Sequence, residues 1–227
     1  MSKTLIVAGY GPGVSSAVAE RFGKEDFAVA LVARNAQRLA EGQKALAGRG
    51  IRAEAFPTDL GQPDAARAVV GKVRAKLGPI SALHWNAYST AAGDLLTADV
   101  AAIRSSLDLA VTSLVATVQE SLPDLRTQKG AVLVTNGGFA FYDPKVDEAG
   151  VKSNSMGLSA ANAAKHKIVG MLAHRLKDDG VYVGEVVIRG VVKGSSWDSG
   201  DGDVEPSEVA ARFWELYAAR RETSVTI

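Results

Sequence analysis

Short runs of β-branched residues alternate with longer helical stretches along almost the whole chain, and this alternation restricts the fold more than any other feature of the sequence. Apolar spacings of three and four indicate helices, and short apolar runs indicate strands. With right-handed crossovers, the pattern predicts an α/β fold: one doubly wound, seven-stranded parallel sheet with helices on both faces. The predicted strands lie at about residues 4–8, 27–33, 51–56, 80–85, 129–135, 181–188 and 223–227, and the helices near 13–24, 36–48, 64–77, 97–122, 155–178 and 206–219.

Two details sharpen this expectation. Residues 29–33 and 132–134 are apolar on both faces, as in strands that helices cover on both sides. The helix near 97–122 has the clearest apolar spacing, and Pro123 is expected to end it. No linker, repeat or low-complexity block interrupts the chain, so residues 1–227 are predicted to form one domain.

One predicted connection is unusually long. Residues 191–206 form a polar, glycine-rich segment between the sixth strand and the last helix, longer than the connections usual in α/β units. The segment is either a mobile surface loop or a lid over a site at the strand ends. Its position after the sixth strand favours the lid.

Charge and cysteine content exclude several kinds of function. The 26 basic and 25 acidic residues leave a formal net charge of +1, too little to attract nucleic acid or an anionic membrane non-specifically. The absence of cysteine excludes disulfides, thiolate-bound zinc, iron–sulfur clusters and a cysteine nucleophile, and it is compatible with a reducing cytoplasm. The sequence contains no metal-binding motif. We therefore expect a cytoplasmic protein with a small-molecule site, and neither nucleic acid nor a membrane as a partner.

A glycine-rich turn lies between the first strand and the first helix. Gly9, Gly11 and Gly13 allow a tight turn and let backbone amides approach a pyrophosphate at a helix N-terminus, where the helix dipole favours negative charge. A strand before the turn and an amphipathic helix after it are the context that such a site needs. The turn predicts a dinucleotide site, although Val14 stands where the common Gly-x-Gly-x-x-Gly form has its last glycine.

The end of the second strand indicates which dinucleotide binds. An NAD site places a carboxylate there for the ribose 2′-hydroxyl, whereas the 2′-phosphate of NADP needs a cation. This chain has Arg34 and Asn35 there and no acidic residue nearby. An arginine can pair with phosphate through two hydrogen bonds. The sequence therefore favours NADP over NAD.

Several segments resemble motifs of the short-chain dehydrogenase/reductase family. Gly9-x-x-x-Gly13-x-Ser15 resembles its glycine loop, and further segments resemble its motifs after the third, fourth and sixth strands. The resemblance spans essentially the whole chain. It implies a Rossmann fold, an oxidoreductase, and a homodimer or homotetramer formed through the helices near 97–122 and 155–178. The cofactor-binding residues implied by these motifs are Gly9, Gly11, Pro12, Gly13, Val14, Arg34, Asn35, Asp59, Leu60, Asn86, Ala87, Ile188, Gly190 and Val192.

The catalytic residues of this family are missing at the matching positions. The family uses a tyrosine whose pKa is lowered by a lysine four residues later, together with a serine and a helix asparagine. Here Leu158 takes the tyrosine place, Asn162 the lysine place and Gly137 the serine place. Ala110 takes the asparagine place, or Asp108 does after a two-residue shift. The sequence therefore predicts no residue of the usual catalytic set.

Two functions are compatible with these observations. The first is an NADP(H)-binding oxidoreductase that acts on a small molecule with a non-standard or missing proton donor. Tyr142, Lys145 and Tyr88 are candidates for a relocated donor. The second is a catalytically inactive relative that acts as a nucleotide-responsive binding module.

Overall fold

The computed structural model describes residues 3–227 and contains one parallel sheet. Its strands are β1 (Lys3–Ala8), β2 (Phe27–Ala33), β3 (Ala53–Pro57), β4 (Ile80–Trp85), β5 (Ala131–Gly137), β6 (Tyr182–Ile188) and β7 (Ser224–Thr226). They lie in the order β3-β2-β1-β4-β5-β6-β7, and each neighbouring pair is parallel. The predicted seven-stranded, doubly wound α/β fold is confirmed. The order reverses between β1 and β4, which creates a crevice at the carboxyl ends of these strands.

Helices cover both faces of the sheet. The helices are α1 (Val14–Gly23), α2 (Ala36–Ala47), α3 (Pro63–Leu77), α4 (Val100–Leu107), α5 (Ser113–Gln128), α6 (Pro144–Lys152), α7 (Met156–Leu176) and α8 (Pro206–Ala219). The core has two parts: α1, α2 and α8 pack on one face, and α3, α5 and α7 pack on the other. Within β1, Leu5 and Val7 point to the first part, while Ile6 and Ala8 point to the second. This alternation explains why the strand is apolar throughout.

The predicted helix at 97–122 is wrong in two respects. It is interrupted by a π-helical turn, Asp108–Thr112, that separates α4 from α5. It also continues through Pro123, which lies inside α5. Arg74 on α3 donates to the Glu120 carbonyl over 2.9 Å and to the Asp124 carboxylate over 2.7 Å, so contacts with another helix hold both sides of the proline. Tertiary packing thus overrides the local signal.

No helix was predicted between the strand at 129–135 and the helix at 155–178, and this is also wrong. A short 3-10 turn, Gly138–Ala140, follows β5, and helix α6 begins at Pro144. The Asp143 side chain caps this helix by accepting hydrogen bonds from the amides of Lys145 (2.8 Å) and Val146 (3.3 Å). An aspartate at the N-cap followed by a proline is a recognisable helix start, so the signal was present in the sequence.

The stretch Val100–Gln128 is long and apolar enough to cross a membrane by length and composition alone. The core helix of a soluble protein passes the same test. Here Leu114, Val118 and Leu125 are buried in the core part that includes α3 and α7. Packing in the fold therefore accounts for part of the apolar character of this stretch, and about a third of its most apolar window is buried (33%).

Two glycines of α7 provide a matched test of the packing at its N-terminus. A Cβ atom at Gly157 would lie 1.9 Å from the Ala92 carbonyl oxygen, whereas a Cβ atom at Gly170 would meet nothing within 4 Å. We expect Gly157→Ala to lower the free energy of unfolding by about 1–3 kcal/mol, the usual cost of overpacking. Gly170→Ala should raise it by up to about 1 kcal/mol, because alanine favours helix over glycine. Urea denaturation measures both, and equal effects would contradict the packing described.

Candidate cofactor site

The turn after β1 lies directly against the end of β4. Gly9 has a φ of 86°, and a Cβ atom there would lie 2.6 Å from the backbone nitrogen of Ala87. The Asn86 amide donates to the Ala8 carbonyl over 2.8 Å, which continues the pairing of the two strands to this point. The Asn86 side chain is also directed at the Gly9 carbonyl, at 3.4 Å. Only glycine fits at position 9, both for its backbone conformation and for lack of space.

The remainder of the turn forms a cradle at the start of α1, where Gly13 and Val14 are buried. Gly13, with a φ of 83°, is the N-cap of α1, and no side chain caps the helix there. The Ser15 hydroxyl accepts from the Gly11 amide (2.8 Å) and donates to the Gly11 carbonyl (3.0 Å), which fixes the loop without blocking its outer side. Amides at an uncapped helix N-terminus suit an anion. The cradle fits the pyrophosphate of a dinucleotide.

Two arginines lie beside this cradle. Arg34 and Arg38 are exposed, and neither guanidinium forms an ion pair or a side-chain hydrogen bond within residues 3–227. Arg38 Nη1 lies 3.9 Å from the place a Cβ atom would take at Gly11. Asn35 caps α2 by accepting from the Arg38 amide over 2.9 Å, so it orients the first turn of that helix. Sequence reasoning missed Arg38 as a site residue, although its spacing of four from Arg34 is a usable signal.

Other predicted cofactor residues follow β3 and β6. Leu60 is buried, while the exposed Asp59 accepts a hydrogen bond from the Gly61 amide over 3.0 Å. Ile188 ends β6 with its side chain in the core, so it can offer only its backbone to a ligand. Val192 is buried near Gly13. All these residues lie at the carboxyl edge of the sheet, which is where sequence reasoning placed the site.

The 191–206 loop lies against the crevice. A Cβ atom at Gly13 would lie 3.4 Å from Ser195 Cβ. The Tyr88 hydroxyl and Ser196 Oγ are 2.7 Å apart, and the Tyr88 ring stacks on Trp197 with centroids at 6.2 Å. The loop therefore extends from the glycine turn to Tyr88. This placement is compatible with the lid interpretation.

An aspartate organises the interior of this loop. The Asp198 carboxylate accepts hydrogen bonds from the amides of Gly194 (2.7 Å), Gly200 (2.8 Å) and Gly202 (2.9 Å). These bonds favour the ionised form and lower the pKa of Asp198. The loop folds around one carboxylate rather than around a hydrophobic centre.

With Ala110 in the asparagine place, the positions that the resemblance assigns to catalysis contain no acid or base; the alternative, Asp108, is a half-buried carboxylate in the same π-helical turn. A Cβ atom at Gly137 would lie 3.0 Å from Asn162 Nδ2, so these two positions are adjacent. Leu158 is buried on the same helix as Asn162, and Ala110 is buried in the π-helical turn, which packs against α7. The geometry therefore groups these positions at the end of β5 and the start of α7, with side chains that cannot transfer a proton.

The candidate relocated donors differ in their placement. Tyr142 is 99% exposed, and Lys145 is exposed in the first turn of α6, where its amide is used by the cap. Neither is held towards the crevice. Tyr88, by contrast, is held at the crevice by Ser196 and Trp197.

A group of buried polar residues beneath α7 was missed by sequence reasoning. Glu185 on β6 is fully buried and accepts hydrogen bonds from Asn136, Ser224 and His166. Lys165 on α7 is also buried. Burial lowers the pKa of Lys165 to about 8, with Glu185 acting in the opposite direction. Single polar residues in otherwise apolar helix and strand patterns are the signal that was available.

Comparison with known proteins identifies the family. A family model described as short chain dehydrogenase matches residues 3–198, and the chain therefore belongs to the short-chain dehydrogenase family. A short chain dehydrogenase from Pseudocercospora fijiensis is 35% identical over 81 residues, which is 36% of this chain and 26% of that protein. The chain thus matches only about a quarter of this curated relative's length.

Solved structures resemble the chain over nearly its whole length. A metagenomic short-chain oxidoreductase in complex with NADP has a TM-score of 0.82 at 20% identity, covering 100% of this chain and 96% of that one. An NADPH-bound short-chain oxidoreductase from Pseudomonas aeruginosa PAO1, containing an atypical catalytic center, has a TM-score of 0.84 at 23% identity, covering 99% and 94%. L-sorbose reductase from Gluconobacter frateurii, complexed with NADPH and L-sorbose, has a TM-score of 0.84 at 21% identity, covering 100% and 95%. At these identities the likeness shows the shared fold.

The loop geometry predicts a specific change in amide exchange. Asp198→Ala removes the acceptor of the Gly194, Gly200 and Gly202 amides, so their hydrogen exchange should become roughly tenfold faster at neutral pH. Asp201→Ala is the matched control, because the Asp201 side chain makes no hydrogen bond or ion pair within residues 3–227. Exchange mass spectrometry on the loop peptides measures both. Identical exchange in the two variants would show that Asp198 does not organise the loop.

Proposed function

We propose that the chain is an NADP(H)-dependent oxidoreductase that acts on a small carbonyl or alcohol. The observation that carries this proposal is the glycine turn with Arg38 beside it and Arg34 directly after β2, where neither guanidinium is paired within residues 3–227. NADP and NADPH in structurally similar proteins support the same choice. The cofactor supplies or accepts the hydride when it is bound.

The residues of this chain have separable tasks in that function. The α1 amides and the Gly11–Gly13 turn bind the pyrophosphate, and the side chains of Arg34 and Arg38 bind the 2′-phosphate. The buried Leu60 and Ala87 shape the adenosine end of the crevice. The 191–206 loop acts as the lid that excludes water from the nicotinamide end. These tasks require binding and positioning only.

Proton transfer is the step for which the family's usual residues are missing. Of the three relocated donors considered, Tyr88 has the best geometry, because its hydroxyl bonds to Ser196 of the lid. That same contact favours a second candidate function. A lid held against the crevice by Tyr88 and Trp197 could also report nucleotide occupancy to a partner, without turnover.

Activity separates the two functions. Purified protein should oxidise NADPH, followed at 340 nm, with at least one member of a broad aldehyde and ketone panel, or reduce NADP with an alcohol. Tight NADPH binding without turnover across both panels favours the binding module. A cytoplasmic location and a homodimer or homotetramer remain predictions, and sedimentation analysis measures the oligomeric state.

Cofactor selectivity provides a residue-level prediction. Arg34→Ala and Arg38→Ala should each weaken NADPH binding about tenfold, or about 1.4 kcal/mol, because each removes a charge-assisted contact with the 2′-phosphate. NADH binding should change little, since NADH has no such phosphate. Arg221→Ala is the control: this arginine is exposed and forms no ion pair within residues 3–227. Calorimetric titration measures all of these, and equal losses for NADPH and NADH would contradict the assignment.

A further inference from the structure

Lys165 is an unusual residue for the interior of this fold. It is only 2% exposed, and the hydrogen bonds and ion pairs within residues 3–227 include none at its Nζ. Burying a lysine ammonium without a direct partner is costly, and lysine is among the residues least often buried. The proposed function assigns no role to the Lys165 side chain. A largely buried lysine of this kind is a candidate functional group.

The position of Lys165 on α7 places it beneath the crevice. It follows Leu158, Ala161 and Asn162 by seven, four and three residues, so all four lie on one buried face of the helix. Three residues correspond to about 4.5 Å along the helix axis. Helix side chains lean towards the N-terminus, so the Lys165 stem runs back towards Asn162. Asn162 in turn touches Gly137 at the end of β5.

Glu185, on strand β6 beneath α7, supplies a negative charge on the sheet side of Lys165. Its carboxylate accepts hydrogen bonds from Asn136 Nδ2 (3.1 Å), Ser224 Oγ (2.8 Å) and His166 Nδ1. These donors satisfy the carboxylate without Lys165, whose Nζ is beyond ion-pair distance. Asn136 also donates to the Asn162 carbonyl over 3.2 Å, and its Oδ1 accepts from the Gly137 amide over 3.1 Å. The network therefore connects Glu185 to Asn162 and Gly137, which form the floor of the crevice in this part of the site.

We propose that Lys165 supplies the buried positive charge of the cofactor crevice, and that it takes up a proton when the anionic dinucleotide binds. The proposal rests on the proposed function, since it requires a dinucleotide in the crevice. Burial brings the pKa of Lys165 down to about 8, so the free protein holds this proton incompletely at mildly alkaline pH. The phosphates of the bound dinucleotide lie at α1, Arg34 and Arg38 in this proposal, and their net negative charge favours the charged form of Lys165 across the interior of the protein. Lys165 is a positioning residue in this scheme, because it acts from beneath the floor.

The charged groups around Lys165 leave Glu185 as its main electrostatic partner. Helix α7 packs against β5, β6, α4, α6, the π-helical turn and the 3-10 turn. Next to Glu185, β5 offers the neutral Asn136, and Asp108 of the π-helical turn is half-buried and accepts from Thr112. On α7 itself, His166 binds Glu185 and Lys167 is exposed. The charged residues on the other two packed helices are exposed: Arg104, Lys145, Asp147, Glu148 and Lys152.

Solvent can exchange protons with this cluster. A cavity of about 330 Å³ between α7 and the last strand is lined by His166 and Ser224, which both contact Glu185. The cavity therefore brings solvent to Glu185, the main electrostatic partner of Lys165.

Calorimetric titration with NADPH at pH 8, in two buffers of different ionisation enthalpy, tests the proposal without any substrate. A tenfold gain in proton affinity on binding corresponds to uptake of roughly 0.4 proton per site at this pH. Lys165→Met should lose this uptake. The variant should remain folded, because it replaces a buried charge by an apolar side chain of similar volume. The native protein and Lys165→Met share all other titrating groups, so the difference in proton uptake between them is due to Lys165. The affinity of the native protein should also weaken from pH 7 to pH 9.5, while that of Lys165→Met stays level.

Two further variants separate electrostatics from packing. Glu185→Gln removes the carboxylate that favours the charged lysine, so the pH of greatest proton uptake should move to a lower value. Lys165→Arg keeps the charge at every pH tested, and NADPH affinity should then no longer weaken towards pH 9.5. Equal proton uptake by the native protein and Lys165→Met would overturn the inference and leave the lysine with a packing role. A failure of NADPH to bind the native protein would instead overturn the proposed function, and this inference with it.

Discussion

The contact between the turn after β1 and the end of β4 sets the geometry of the whole crevice. A Cβ atom at Gly9 would collide with the backbone at Ala87, so the turn can lie this close only because residue 9 is glycine. This contact directs the chain into α1, whose N-terminal amides then face the crevice where the strand order reverses. It also fixes Tyr88, the residue that meets the 191–206 loop. The cradle, the adenosine end and the loop therefore depend on one close approach.

Local signals in the sequence were sufficient for the parts of the fold that one element decides alone. The strands are apolar on both faces because helices cover both sides, and this pattern is visible without tertiary information. Pro123 shows the opposite case, since the contacts of Arg74 with Glu120 and Asp124 decide whether the helix continues. Helix α6 is a third case, in which Asp143 and Pro144 are a clear start signal that was read as loop.

The candidate site likewise has one part that the local sequence predicts and another part that tertiary contacts decide. Its backbone part, the glycine turn and the strand ends, could be placed from the sequence because spacing along the chain fixes it. Its side-chain part could not, because it is assembled by residues far apart in the chain. The approach of Arg38 to Gly11 and that of Tyr88 to Ser196 depend on how α2 and the 191–206 loop lie over the crevice. The family's tyrosine–lysine spacing does not find Lys165, because Ala161 stands four residues before it. That spacing tests one known arrangement and not the space beneath the crevice.

Stability alone does not explain the polar residues beneath α7. A buried pair of opposite charges contributes little compared with apolar side chains of the same volume, and Lys165 lacks even direct contact with Glu185. On the buried face of α7, Leu158, Ala161 and Val169 are apolar, so a leucine or methionine at position 165 would have extended the core part to which Val169 belongs. A lysine there lowers stability while adding a charge beneath Asn162 and Gly137. Such a cost is reasonable where the charge acts on a ligand in the crevice, and position 162, where the family resemblance expects a lysine, is an asparagine in this chain.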